Sequence, residues 1–157
     1  MTSRCLLIAV LVIAAGTSCK KKSPIEPQLP DYSGMWNGTY TVTTCTNSGF
    51  FSEANFCAGL LNTSASATFT LAQTDRAVTG TFQLGSLSFT GVNATVADDG
   101  TLGVARTMTD SGFTIDASWT LTQKVAGTLT GQTHQVWKAT GQSGEGVVDG
   151  QMNSATR

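Results

Sequence analysis

The chain has 157 residues and a formal net charge of −1, with 12 % charged residues and 17 glycines. That charged fraction is about half of the ordinary 25 %. The basic residues after position 31 (Arg76, Arg106, Lys124, Lys138 and Arg157) are scattered. This excludes the clustered basic face of a nucleic-acid binder, and the scarcity of Lys and Glu removes the usual helix formers.

The first predicted element is a leader. Arg4 precedes an apolar run from Leu6 to Ala15, then Gly16-Thr17-Ser18-Cys19 and Lys20-Lys21-Lys22. A positive start, a short apolar core and small residues before a cysteine resemble the bacterial lipoprotein signal, and the run is too short for a membrane span. The expectation is cleavage before Cys19 and attachment of acyl chains of the palmitate type to that residue. More than one chain, at about 0.8 kcal/mol per buried methylene, makes such an anchor effectively permanent. Lys20 stands where an inner-membrane retention signal has Asp, so the outer membrane of a cell envelope is the expected destination. Residues 1–18 are thus read as signal peptide and 19–31 as lipidated cysteine plus tether. Pro24, Pro27 and Pro30 repeat at the period of polyproline II, which at about 3.1 Å per residue holds a domain roughly 35 Å from the headgroups.

Residues 32–157 are then one domain, large enough for one core and too small for two. With Cys5 in the leader and Cys19 lipidated, Cys45 and Cys57 remain. In an oxidising compartment they are expected to form a disulfide. A two-cysteine metal site lacks nearby His or further Cys, and no metal or cofactor is expected.

Period-two alternation dominates from Tyr32 onward, the mark of strands with one buried face. Trp36, Gly38, Tyr40 and Val42 share one face; Asn37, Thr39, Thr41 and Thr43 share the other. The same alternation places Phe69 and Leu71 inward, with Val78, Gly80, Phe82 and Leu84, then Leu87 and Phe89, then Phe113, Ile115, Ala117, Trp119 and Leu121. Residues 67–82 align with 117–129, and the motif apolar-any-Gly-Thr-apolar occurs at 36–40, 78–82 and 125–129. Inward glycines mark bends or close backbone approach. Turns are predicted at Gln73–Arg76, Leu84–Ser86, Asp98–Gly100, Asp110–Gly112, Gln123–Lys124, Gly131–Thr133 and Gly141–Gly144. The pattern predicts an all-β, antiparallel up-and-down barrel of 8–9 strands, with a two-sheet sandwich as the alternative.

Gly34-Met35-Trp36 on the first strand resembles the Gly-x-Trp motif that opens lipocalins and related calycin barrels, and the stretch 32–38 looks like the start of bacterial lipocalin-like lipoprotein domains. Avidin-like barrels share a similar opening and similar Thr-Gly-Thr strands. The lipocalin resemblance implies a basic side chain packed over Trp36 at the closed end. Arg106 is the candidate because its parity places it inward with Leu102, Val104 and Met108.

Between Cys45 and about Ala65 runs the longest interruption, carrying Phe50, Phe51, Phe56, Leu60 and Leu61. Ser52 is the expected cap of a short helix running through Cys57 or Leu61. The loop is read as a lid over a cavity or as a plug that completes the core. A barrel of about eight strands is wide enough either to fill with side chains or to hold one small ligand. No catalytic constellation is visible: His134, the single histidine, lies in a turn-like stretch with no nucleophile placed near it. The expected function is therefore non-enzymatic. It is a membrane-anchored barrel binding a small hydrophobic ligand against Trp36, Tyr40, Phe69, Phe82, Phe89 and Trp119. The alternative is a packed barrel serving protein interaction, assembly or inhibition.

Overall fold

The computed structural model describes residues 28–157; the leader, Cys19 and most of the tether lie outside the described residues. Eight strands follow in order: β1 (Gly34–Asn47), β2 (Ser64–Thr74), β3 (Ala77–Leu84), β4 (Leu87–Val96), β5 (Leu102–Asp110), β6 (Phe113–Val125), β7 (Thr128–Ala139) and β8 (Gly146–Thr156), with one short helix, α1 (Phe50–Glu53), after β1. Each strand pairs antiparallel with the next, and β8 returns to pair with β1, so the sheet closes into a barrel. Closure rules out the sandwich.

The alternation seen in the sequence is the inside and outside of this barrel. Trp36, Phe69, Leu71, Val78, Phe82, Leu84, Phe89, Ile115, Ala117, Trp119 and Leu121 are all buried, while the intervening threonines face outward. Two turn assignments need correction. Gly131–Thr133 lies inside β7, and the β6–β7 hairpin turns at Ala126–Gly127, just beyond the expected Gln123–Lys124. The described residues therefore form eight strands, at the lower end of the expected range.

Gly131 is a site of close approach, because a Cβ there would land on the Thr120 carbonyl oxygen and lie 2.7 Å from Leu121 Cδ2. Gly80 is its counterpart four strands earlier, on β3, where a Cβ would land on the Thr70 carbonyl oxygen, 3.0 Å from Leu71 Cδ2. Leu71 pairs with Gly80 as Leu121 pairs with Gly131. The repeat is thus structural, with β2–β3 matching β6–β7. The partner of Gly80 is Gly131 and not Gly127, which sits in the turn at φ 77°.

At the closed end the Trp36 indole N–H donates to the Tyr32 carbonyl at 2.8 Å, and the buried Tyr32 hydroxyl lies 2.7 Å from the Gly100 carbonyl and 3.1 Å from that of Leu121. A guanidinium does cover Trp36, but it belongs to Arg157, 4.7 Å above the ring, and not to Arg106. Arg157 is held there by Asp31, whose carboxylate and carbonyl accept from it at 2.8 and 2.7 Å. Arg106 is exposed; its guanidinium extends toward Gly91 on β4. Parity assigned its row correctly, but the β4–β5 ladder has only two residue pairs, Thr95↔Gly103 and Val96↔Leu102. Beyond those pairs β4 no longer pairs with β5, so the ladder is open on that side of Arg106 and its side chain reaches solvent.

Candidate functional site

Five of the six residues expected to face a ligand form the floor of the barrel. Phe69 meets Phe82 edge-on at 4.8 Å, Phe82 stacks on Trp119 at 5.0 Å, and Phe89 meets Trp119 edge-on at 4.8 Å. With Trp36 at the closed end, all five are at most 1 % exposed. Such aromatic pairs add about 0.5–1.5 kcal/mol each beyond burial. Tyr40 is set apart: it is half-buried, nearer the mouth, with its ring flanking Gly150.

The mouth is covered by the loop after β1. The Cys45–Cys57 disulfide ties the loop to β1, and backbone bonds from Ser48 N to Glu145 O (2.9 Å) and Phe50 N to Ser143 O (3.0 Å) tie it to the β7–β8 connection. Helix α1 is shorter than expected. Gly49 precedes it with no side-chain cap, and Ser52 lies within it. The disulfide and the backbone ties, rather than a cap, hold the segment. Phe51, 1 % exposed, meets Phe56 at 5.1 Å and Phe113 at 6.0 Å, and Phe56 meets Trp137 at 5.7 Å. A Cβ on Gly146 would come within 2.6 Å of the Phe56 ring, so glycine is what lets the loop seat.

Between floor and plug, inward side chains of β6 and β7 carry a row of polar atoms that the sequence reading missed. Trp119 Nε1, Thr133 Oγ1, Gln135 Nε2 and Trp137 Nε1 are buried, and none has a hydrogen-bond partner among the described residues. Gln135 is 2 % exposed and Thr133 4 %. The register sets Trp119 opposite Thr133, and positions 133, 135 and 137 follow one another along the inner face of β7. Tyr40 borders the row: burial pushes its hydroxyl pKa up, and the nearby Gln135 amide, too far or too poorly aligned for a hydrogen bond, acts in the opposite direction. Reading Gly131–Thr133 as a turn broke the alternation that would have placed these residues inside. An unpaired buried polar group costs about 1–3 kcal/mol, so four together call for a partner. Three of the four atoms are N–H donors, which suits a ligand bearing acceptors.

His134 is on β7 and faces outward. Its Nδ1 lies 2.6 Å from Asp149 Oδ1 on β8, and Thr44 Oγ1 donates to Asp149 Oδ2 at 2.5 Å. The Thr44 bond first, then His134, holds the Asp149 carboxyl below its ordinary value of 3.8. Thr107 and Lys138 do the same for Asp116, and Arg157 does so for Asp31. A depressed carboxylate stabilises the fold above its unfolded pKa, and that contribution disappears as pH falls through the folded value. The urea midpoint should therefore hold steady from neutrality down to about pH 5 and decline below about pH 4. Asp149→Asn and Asp116→Asn should each flatten that decline.

The fold and its interior define a closed eight-stranded up-and-down barrel with an aromatic floor, a disulfide-tied plug and an unpaired polar row between them. Comparison with protein-family models, curated proteins and solved structures finds no match to this chain.

Proposed function

We propose that this is a lipid-anchored envelope protein with a lipocalin-like barrel, holding a small, largely apolar ligand whose polar end meets the unpaired row on β6 and β7. The observation that carries the reading is the set of four buried polar atoms without partners. The lipocalin likeness is supported by the Gly34-Met35-Trp36 opening and by Arg157 over Trp36. The ligand site moves from the aromatic floor, whose rings occupy one another, toward the mouth, with Tyr40, Thr133, Gln135 and Trp137 as its wall and Trp119 at its base. Anchoring rests on the leader: Cys19→Ser should abolish incorporation of labelled palmitate and release the chain from the membrane fraction.

The packed-barrel alternative draws on the seating of Phe51 and Phe56 in the mouth. In that reading the interior is closed and partners meet the outer surface. Native mass spectrometry of the full chain, extracted from its host's envelope in mild detergent, separates the two. A retained small molecule, lost on Gln135→Leu, supports the carrier. A bare mass, with no shift of the Trp119 and Trp137 indole N–H resonances on adding octanoate or octanol, supports the packed barrel. Stability gives a second readout. Gln135→Met removes an unpaired amide and should raise the unfolding free energy of ligand-free protein by about 1–2 kcal/mol, measured by urea denaturation, while weakening retention of the ligand.

A further inference from the structure

The outer face of the barrel carries a row of a different chemistry. Ser118 on β6 pairs with His134 on β7, and His134 pairs with Asp149 on β8. All three alternate with buried residues and so project outward: Ser118 between Ala117 and Trp119, His134 between Thr133 and Gln135, Asp149 between Val148 and Gly150. The contact that orients the imidazole is already made, since Asp149 Oδ1 sits 2.6 Å from His134 Nδ1 while Thr44 fixes the other carboxylate oxygen. A carboxylate at Nδ1 selects the tautomer with the proton on Nδ1, leaving Nε2 as the free base. Ser118 stands on the side of His134 away from Asp149. Directly opposed residues have Cβ atoms about 4.5–5.5 Å apart, a separation that side-chain rotation spans to bring Oγ to Nε2.

Two depressions meet at Ser118 and His134. One, of about 250 Å³, is lined on its far side by polar Thr120, Gln132 and Gln151. The other, of about 280 Å³, is lined beyond them by Ala105, Ala117 and Val136 together with Arg106, Thr107 and Asp116, and the surface it exposes is mainly apolar. A nucleophile and base on the saddle between a polar and an apolar hollow match an ester with a short acyl chain and a polar alcohol.

We infer that Ser118, His134 and Asp149 form an ester-hydrolysing site on the outside of the barrel, acting on short-chain acyl esters of polar alcohols. Ser118 Oγ bonds to the carbonyl carbon as its proton passes to His134 Nε2. The ester C–O bond then breaks, the proton goes to the departing alcohol, and an acyl-Ser118 remains. Water attacks that acyl carbon, giving its proton to Nε2; the bond to Oγ breaks, Oγ recovers the proton, and the carboxylic acid leaves. The Thr120 hydroxyl and Gln132 amide line the polar hollow and supply hydrogen-bond donors to the carbonyl oxygen as charge develops on it. Asp149 acts through His134 as a positioning residue.

The site is independent of the interior one, and its test does not depend on any bound ligand. The full chain in detergent is assayed with p-nitrophenyl butyrate and labelled with a fluorophosphonate, and the adduct is located by peptide mass. The expected result is saturable hydrolysis above buffer, one adduct on the peptide containing Ser118, loss of hydrolysis to background in Ser118→Ala, and a fall of at least about 10-fold in kcat in Asp149→Asn with KM little changed. All three residues project from the barrel surface, so a single cooperative urea transition at neutral pH, with its midpoint unchanged in Ser118→Ala and modestly lowered in Asp149→Asn by loss of the depressed carboxylate, shows that each variant is folded. Hydrolysis that survives Ser118→Ala, an adduct on another residue, or no adduct at all overturns the assignment.

Discussion

Trp119→Ala should destabilise the barrel by about 3–5 kcal/mol, a large part of the about 5–15 kcal/mol that holds an ordinary domain folded. Trp119 is 1 % exposed and is the ring on which the floor is built, with Phe82 stacked on one side and Phe89 edge-on at another. Truncation removes both contacts and leaves a cavity that neighbours on closed, hydrogen-bonded strands cannot collapse to fill. Trp119→Phe is the informative companion. It keeps a ring against Phe82 and Phe89 but deletes the unpaired Nε1, so the packing loss is partly offset by removal of a buried donor. Urea denaturation should place the Phe variant well above the Ala variant. Similar midpoints for the two would mean that the stacked ring contributes little.

Replacing both Cys45 and Cys57 by Ser should remove about 3 kcal/mol, the chain-entropy value for a loop of this length, closed by a bond of sequence separation 12. The local effect should be larger than the global one. Helix α1 has four residues and no side-chain cap, so without the disulfide its placement rests on a few backbone bonds and on Phe51 and Phe56 in the mouth. Limited proteolysis should cut the variant first between residues 48 and 63, under conditions where the oxidised protein stays intact. If the carrier reading holds, ligand retention should fall together with that protection.

Much of the fold was legible because the barrel imposes period-two alternation on nearly every strand. Trp36, Phe69, Phe82, Phe89 and Trp119 could be set inside from parity alone, and Asp98-Asp99-Gly100 and Asp110-Ser111-Gly112 could be set in turns from their residue types. Gly131 shows where that reading stops. A glycine among Thr and Gln reads locally as a turn, yet here it is demanded by the Thr120 carbonyl and Leu121 on the neighbouring strand. That contact is set by register and is invisible in the local sequence. The consequence spread along β7, because Thr133 and Gln135 were taken out of the interior and His134 was separated from Asp149. Arg157 was missed for a related reason. Parity describes strands, while Arg157 follows β8 and reaches Trp36 only because β8 pairs with β1.

The barrel is a ring of eight ladders, and the two that join its four-stranded halves are built in opposite ways. Ten residue pairs join β1 to β8, at opposite ends of the domain, while β4 and β5, consecutive in the chain, share two. Where the polypeptide itself links the halves, through residues 97–101, little hydrogen bonding is needed to keep them together. Where no covalent link exists, the ladder alone must resist the loss of entropy that closing so long a loop entails. Of these two seams, the one where the chain is discontinuous is therefore the tighter, and the one where it is continuous the looser. Thermal fluctuations should widen it like a clasp hinged on residues 97–101, exchanging amide protons along β4 and β5 before those shared by β1 and β8.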